Sequence, residues 1–308
     1  MNILIELPTW LGDAVMVTPS LENIRKKYPN ADFSFIGPKS SIDLFVDFPR
    51  CNNLIPIRKN NFEILRKFLS IDRCDIFISY RSSFRITILK YFLPAKVKYQ
   101  FNKNIYKHGH QVEKYNAFVN NVLGINFAPN KLKIYIKEKP QKKIKKIVGI
   151  SPGAAYGSAK RWTIEGFKEV AFELSKNYQI ILLGSKKEID ICNSIENFLR
   201  KNNLLNFINL AGKTNIQELA IRISNIDLFI TGDSGPMHIA AAFQVPTISI
   251  FGPTNDQDTC QWKNQKSKTI KRNYECQPCM KRKCPLGHQK CMKDITAEEV
   301  IIESLRLI

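Results

Sequence analysis

The feature that most limits what this chain can fold into is one alternation, run twice. Short apolar segments with the make-up of buried strands alternate with segments whose apolar residues recur at helical spacing. The first series opens with MNILIEL, then a turn, then AVMVTPSLENIRKKYP, a helical pattern ending at Pro29. ADFSFIG, CNNLIPI and CDIFISY are its further strands, with SSIDLFVDF, NFEILRKFLS and FRITILKYFL as helices. The alternation breaks at KEKPQKKIKK, residues 137–146, where six lysines and one proline read as a linker. It restarts with IVGISPG, a helix from about Thr163 to Lys176, QIILLGS and a helix within 186–202. NFINLAG, a helix from near Thr214, IDLFITG, a helix over 236–243 and PTISIFG complete the second series. Such alternation predicts parallel, doubly wound sheets. The expected fold is therefore α/β, two Rossmann-like domains (1–140 and 141–308) facing a cleft. The closing amphipathic segment TAEEVIIESLRLI, residues 296–308, suits packing on either domain, and the first is the one carried forward here.

At 308 residues the chain has room for two domains and little more. Its formal net charge is +20, and residues 1–145 hold 25 Lys and Arg against 11 Asp and Glu, so +14 of the excess lies in the front half. An excess of that size predicts an anionic partner: nucleic acid, an anionic membrane surface or a phosphorylated substrate. A solvated, lysine-rich surface is the plainer alternative. No run reaches the roughly 18 apolar residues of a membrane span. The opening MNILIELPTW also lacks the basic region and small-residue cleavage site of a signal peptide. The expectation is a soluble, cytoplasmic protein.

Of eight cysteines, Cys51, Cys74, Cys192 and Cys260 are scattered and read as small buried or neutral residues. Cys276, Cys279, Cys284 and Cys291 are not scattered. They share YECQPCMKRKCPLGHQKCM in a C-x2-C-x4-C-x6-C spacing that suits a tetrahedral zinc, with His288 as a spare ligand. Only the first pair has knuckle spacing, so free thiols or a conditional disulfide remain alternatives.

Three segments carry chemistry. In WLGDAVM, residues 10–16, Gly12 allows a close backbone approach just after the first strand, where parallel sheets bind ligands. Asp13 then sits at the mouth of the cleft, or serves as an N-cap for the following helix. No G-x-G-x-x-G occurs there, which argues against a dinucleotide cofactor. In SPGAAYGSAKRW, residues 151–162, small residues admit a ligand to the backbone and Lys160 and Arg161 can neutralise phosphate. In FITGDSGPMHIAAAF, residues 229–243, a strand runs into a helix starting near Pro236. Free backbone N–H groups at Ser234, Gly235 and Met237 predict an anion site suited to a diphosphate. His238 either reaches that anion or packs. The string GDSG lacks the G-x-S-x-G pattern of a hydrolase nucleophile.

Taken together, WLGDAVMVTPSL, PGAAYGSAKRWT, TGDSGPMHIAAA and CQPCMKRKCPLGHQKCM resemble glycosyltransferase family 9, in order and over nearly the whole chain. The cysteine-rich tail points, within that family, to the enzymes that add a second heptose. The resemblance implies a GT-B fold, a first domain that binds acceptor and a second that binds ADP-sugar. It implies inverting transfer from ADP-L-glycero-D-manno-heptose to the first heptose on Kdo–lipid A, with no metal and no cofactor required. It maps the general base onto Asp13 beside Gly12, and a diphosphate-binding lysine onto Lys160. Asp233, Ser234, Gly235, Met237 and His238 map onto a backbone cradle for the diphosphate, with Gly153, Gly212 and Thr214 near the nucleotide. A phosphorylated acceptor would account for the front-half charge, with Arg81 and Arg85 of YRSSFR as contacts and peripheral contact with the inner membrane face. The alternatives are a related enzyme with another sugar or acceptor, and a nucleic-acid-binding protein with a four-cysteine zinc module. No aromatic-and-basic RNA motif supports the latter, so no nucleic acid is expected.

Overall fold

A computed structural model describes residues 1–57, 61–138 and 145–308. Most of the expected linker lies outside them. The chain divides into two compact units, Met1–Lys137 and Glu138–Ile308.

The first unit runs β1 (Asn2–Glu6), α1 (Leu11–Met16), α2 (Thr18–Lys27), β2 (Asp32–Gly37), α3 (Lys39–Ile42) and β3 (Cys51–Pro56). It continues with α4 (Asn61–Leu69), β4 (Cys74–Ser79), α5 (Phe84–Phe92), β5 (Ala95–Gln100) and α6 (Gln111–Leu123). Its sheet has the order β3-β2-β1-β4-β5 with parallel pairings. Two expectations change here. The single helix expected up to Pro29 is broken at Val17. Pro19 has no N–H for the Val15 carbonyl, and the Thr18 hydroxyl takes that acceptor instead at 2.7 Å. SSIDLFVDF forms only the short α3 and a 3-10 turn, Asp43–Phe45.

The second unit runs β6 (Ile147–Ser151), α7 (Ile164–Ser175), β7 (Gln179–Leu182), α8 (Ile189–Lys201), β8 (Phe207–Asn209), α9 (Ile216–Ser224) and β9 (Leu228–Gly232). Next come α10 (Gly235–Ala242), β10 (Thr247–Ile250), α11 (Asp256–Thr259), β11 (Ser267–Ile270), α12 (Lys290–Lys293) and α13 (Ala297–Leu307). Its sheet has the order β11-β10-β9-β6-β7-β8, again parallel. The terminal helix α13 packs on α7, β10 and β11 of this unit, which corrects its placement on the first domain. Val300, fully buried in the second core, supplies the reason: the apolar stripe of α13 completes that core.

In both sheets the strand order reverses once, between β1 and β4 and between β6 and β9. At such a reversal the connecting helices leave on opposite faces and the strand ends stay open. Ligands of open α/β sheets bind there.

Candidate functional site

At the β6/β9 reversal three strand-end loops meet. The Lys160 ammonium, in a 3-10 turn of the loop after β6, pairs with the Asp233 carboxylate after β9. The Thr254 hydroxyl, after β10, donates to the same carboxylate oxygen at 2.6 Å. Both partners of the ion pair are largely buried, and the Lys160 ammonium also lies 4.8 Å from the centre of the Tyr156 ring. Ser234 caps α10 by position, and its hydroxyl shares a 3.0 Å hydrogen bond with Thr231. Ser234 and Gly235 are half-buried at the start of that helix.

The expected backbone cradle is revised in part by these contacts. The Asp233 N–H donates to Ile250 O at 3.2 Å and the Met237 N–H to Ser234 O at 3.2 Å, so neither lies free for a diphosphate. His238 is buried in α10. Gly153 faces Glu188: a Cβ there would fall 1.8 Å from Glu188 Oε1, so only glycine admits that carboxylate. Gly212 holds a left-handed φ of +72°, and its N–H donates to Gly184 O at 2.8 Å. Thr214 is half-buried just ahead of Asn215, the N-cap of α9. Thr254 and Tyr156 were missed. Their only sequence signal is position, each a few residues beyond a strand.

The Lys160 loop leans on the cysteine-rich tail. Tyr156 Oη donates to Met280 O at 2.8 Å, the Ala159 N–H to Arg282 O at 3.1 Å, and Gln289 Nε2 to Ser158 O at 2.9 Å and Arg161 O at 3.0 Å. The Arg282 backbone passes so close that a Cβ on Gly157 would stand 2.3 Å from its carbonyl oxygen. Cys276, Cys279, Cys284 and Cys291, with His288, line one cavity of about 20 Å³. The four cysteines are free thiols, and among the described residues no three His, Cys, Asp or Glu side chains are arranged to hold a metal ion. Burial pushes the Cys291 thiol up to about 11. The backbone N–H groups of Gln289, Leu286 and Gly287 hold the Cys284 thiol below its usual value.

At the β1/β4 reversal, Asp13 lies half-buried in the first turn of α1. The N-cap position belongs to Trp10, so Asp13 is not the cap. Its charge bears on the buried Tyr115 hydroxyl, which burial holds well above the usual phenol value. Gly12 is buried beside it. Sequence reasoning missed Glu6, the last residue of β1, which is wholly buried. Ser79 Oγ donates to its Oε2 at 2.6 Å, and Arg81 Nη1 stands 3.4 Å from its Oε1. Desolvation outweighs these partners and pushes the Glu6 carboxyl up to about 7. Arg81, expected to contact acceptor, has this internal carboxylate as its partner, and Arg85, half-buried on α5, adds charge to the same cluster.

Each unit is thus a doubly wound parallel α/β sheet with a polar cluster at its reversal point. Residues 65–290 match the model of glycosyltransferase family 9 (heptosyltransferase). The chain is 41% identical to lipooligosaccharide heptosyltransferase 2 of Campylobacter jejuni, over 100% of this chain and 99% of that one. Its structure resembles that of E. coli ADP-heptose LPS heptosyltransferase II, with a TM-score of 0.83 at 23% identity, covering 100% and 98% of the two chains. It also resembles E. coli heptosyltransferase WaaC with ADP-2-deoxy-2-fluoro heptose, with a TM-score of 0.74 at 15% identity over 97% and 98%. The chain therefore belongs to glycosyltransferase family 9, and is an enzyme of the heptosyltransferase kind.

Proposed function

We propose that the protein transfers L-glycero-D-manno-heptose from ADP-heptose to the first heptose of a Kdo–lipid A inner core. The full-length 41% identity to a heptosyltransferase 2 carries this reading, and the Lys160–Asp233–Thr254 cluster supports a donor with a diphosphate. Asp13 takes the proton from the attacking acceptor hydroxyl. The hydroxyl oxygen forms its bond to the anomeric carbon as the bond to the diphosphate breaks, inverting that centre and releasing ADP. Lys160, held in place by Asp233 and Thr254, meets the charge growing on the leaving group, and so do the amides that open α10. With that charge met by protein groups, transfer requires neither metal nor cofactor.

The test is incubation of purified protein with ADP-heptose and mono-heptosylated Kdo–lipid A, following ADP release and product mass. A gain of one heptose that survives EDTA, and falls by about 10²–10⁴-fold in Asp13→Asn, is the expected result. ADP binding without transfer would redirect the reading to another sugar or acceptor. No ADP binding, with salt-sensitive binding to nucleic acid, would replace it.

A further inference from the structure

The Lys160–Asp233 pair carries no net charge, whereas each phosphate of the proposed donor is an anion. A diphosphate brought to a neutral, largely buried pair needs a further cation, because charge taken out of water is costly unless it is met. The cysteine-rich tail supplies one. Arg282 is exposed, and its guanidinium carbon lies over the Tyr156 ring, 5.5 Å from the centre. The Lys160 ammonium stands 4.8 Å from the same centre, so one ring brings two cations together. Like charges so placed repel each other, and an anion that joins them relieves that cost.

The backbone beneath Arg282 is fixed to the loop that bears Lys160. Tyr156 Oη donates to Met280 O at 2.8 Å and the Ala159 N–H to Arg282 O at 3.1 Å, on either side of Gly157. The Arg282 guanidinium itself is uncommitted: among the described residues it has no carboxylate or hydrogen-bond partner, whereas Lys160 has Asp233. Lys281 and Lys283 flank it and are exposed too, so charge alone does not single it out. The stacking on Tyr156 and the tie to Ala159 do. A planar guanidinium presents a fork of N–H donors that matches two phosphate oxygens, and stacking on an aromatic face leaves those donors free at its edge. We propose that Arg282 is a second phosphate-binding cation of the donor site, its guanidinium donating to the diphosphate that Lys160 also meets. Arg282 has this role only if the donor is the ADP-sugar proposed above. The tail then binds substrate as well as positioning the Lys160 turn.

The test is calorimetric titration of the full chain and its variants with ADP, and with adenosine by competition. Arg282→Gln is expected to weaken ADP binding about tenfold and to leave adenosine, which has no phosphate, unchanged. Arg282→Lys, which keeps the charge and loses the fork, should recover part of that loss. Lys283→Gln removes the same charge one residue away and should stay within twofold of the parent. An ADP affinity of Arg282→Gln within twofold of the parent overturns the proposal, and a raised acceptor KM in that variant would then give the arginine to a phosphate of the acceptor. An equal loss for adenosine, or for Lys283→Gln, also overturns it, in favour of a disturbed loop or a diffuse field. A parent that binds ADP but transfers no heptose sinks the transfer reading alone, whereas a parent that binds no ADP sinks both.

Discussion

Glu6 closes β1 and Asp13 opens the first turn of α1, yet the two carboxylates have unlike surroundings. Asp13 is half-buried in the first turn of α1, whereas Glu6 is wholly buried and held at about 7 by desolvation. Between about pH 4.5 and 7 the unfolded chain gives up the Glu6 proton and the folded chain keeps it. Its contribution to stability is thus full below the unfolded value and lost as pH rises through about 7, a swing of about 3 kcal/mol. Glu6→Gln cannot titrate, so its urea stability relative to the parent should improve by about that amount between pH 4.5 and 8. Parallel stability curves would refute the assignment. Lys160→Met removes a charge-assisted contact and should weaken ADP binding by about 10- to 100-fold in calorimetry. It also leaves Asp233 buried without its cation, which destabilises the unit. Adding Asp233→Asn should restore stability but not ADP affinity. Recovery of both would make the pair purely structural.

At the scale of elements, the Lys160 turn is only three residues long and takes its position from the cysteine-rich tail behind it. Gly157→Ala would drive a methyl into the Arg282 carbonyl and shift the turn. Because small displacements of a positioned group are costly, the expected result is a donor KM raised about tenfold or more with little change in melting temperature. A donor KM within twofold of the parent would show that the tail does not set the turn. The thiols of the tail should differ in reactivity. In metal-free protein Cys284 is expected to alkylate first, and Cys192 and Cys291, pushed up to about 12 and 11, last. Mass mapping of a short iodoacetamide pulse reads that order. Joint protection of all four tail thiols, reversed by a chelator, would instead reveal a bound metal.

At the scale of the whole molecule, the charge and the ion pair make separable predictions. The front-half excess is spread over surface and is screened by salt, whereas the Lys160–Asp233 pair is largely buried and is screened little. Raising ionic strength from about 0.05 to 0.5 M should therefore raise the acceptor KM several-fold and the donor KM much less. Equal shifts would remove the surface charge from acceptor binding. No helix among the described residues is long and apolar enough to cross a membrane.

Much of this architecture is legible in the sequence, because alternating buried strands and amphipathic helices follow from periodicity alone. The strands β1 to β4 and β6 to β10, and the loops bearing Asp13, Lys160 and Asp233, were read from local pattern and sit where the parallel sheets put them. Edge strand β5, AKVKYQ, went unread because its lysines dilute the apolar signal, and α6 because no strand pattern framed it. The partners of the key residues were not legible at all. Lys160 meets Asp233 across 73 positions, and Glu6 meets Ser79 across 73. Local sequence determines which residues lie at strand ends, through backbone preference and the spacing of apolar side chains. Which strand ends become neighbours depends on sheet order. That order decides whether a charge is desolvated or paired, so only the tertiary structure could show Arg81 turned inward to Glu6.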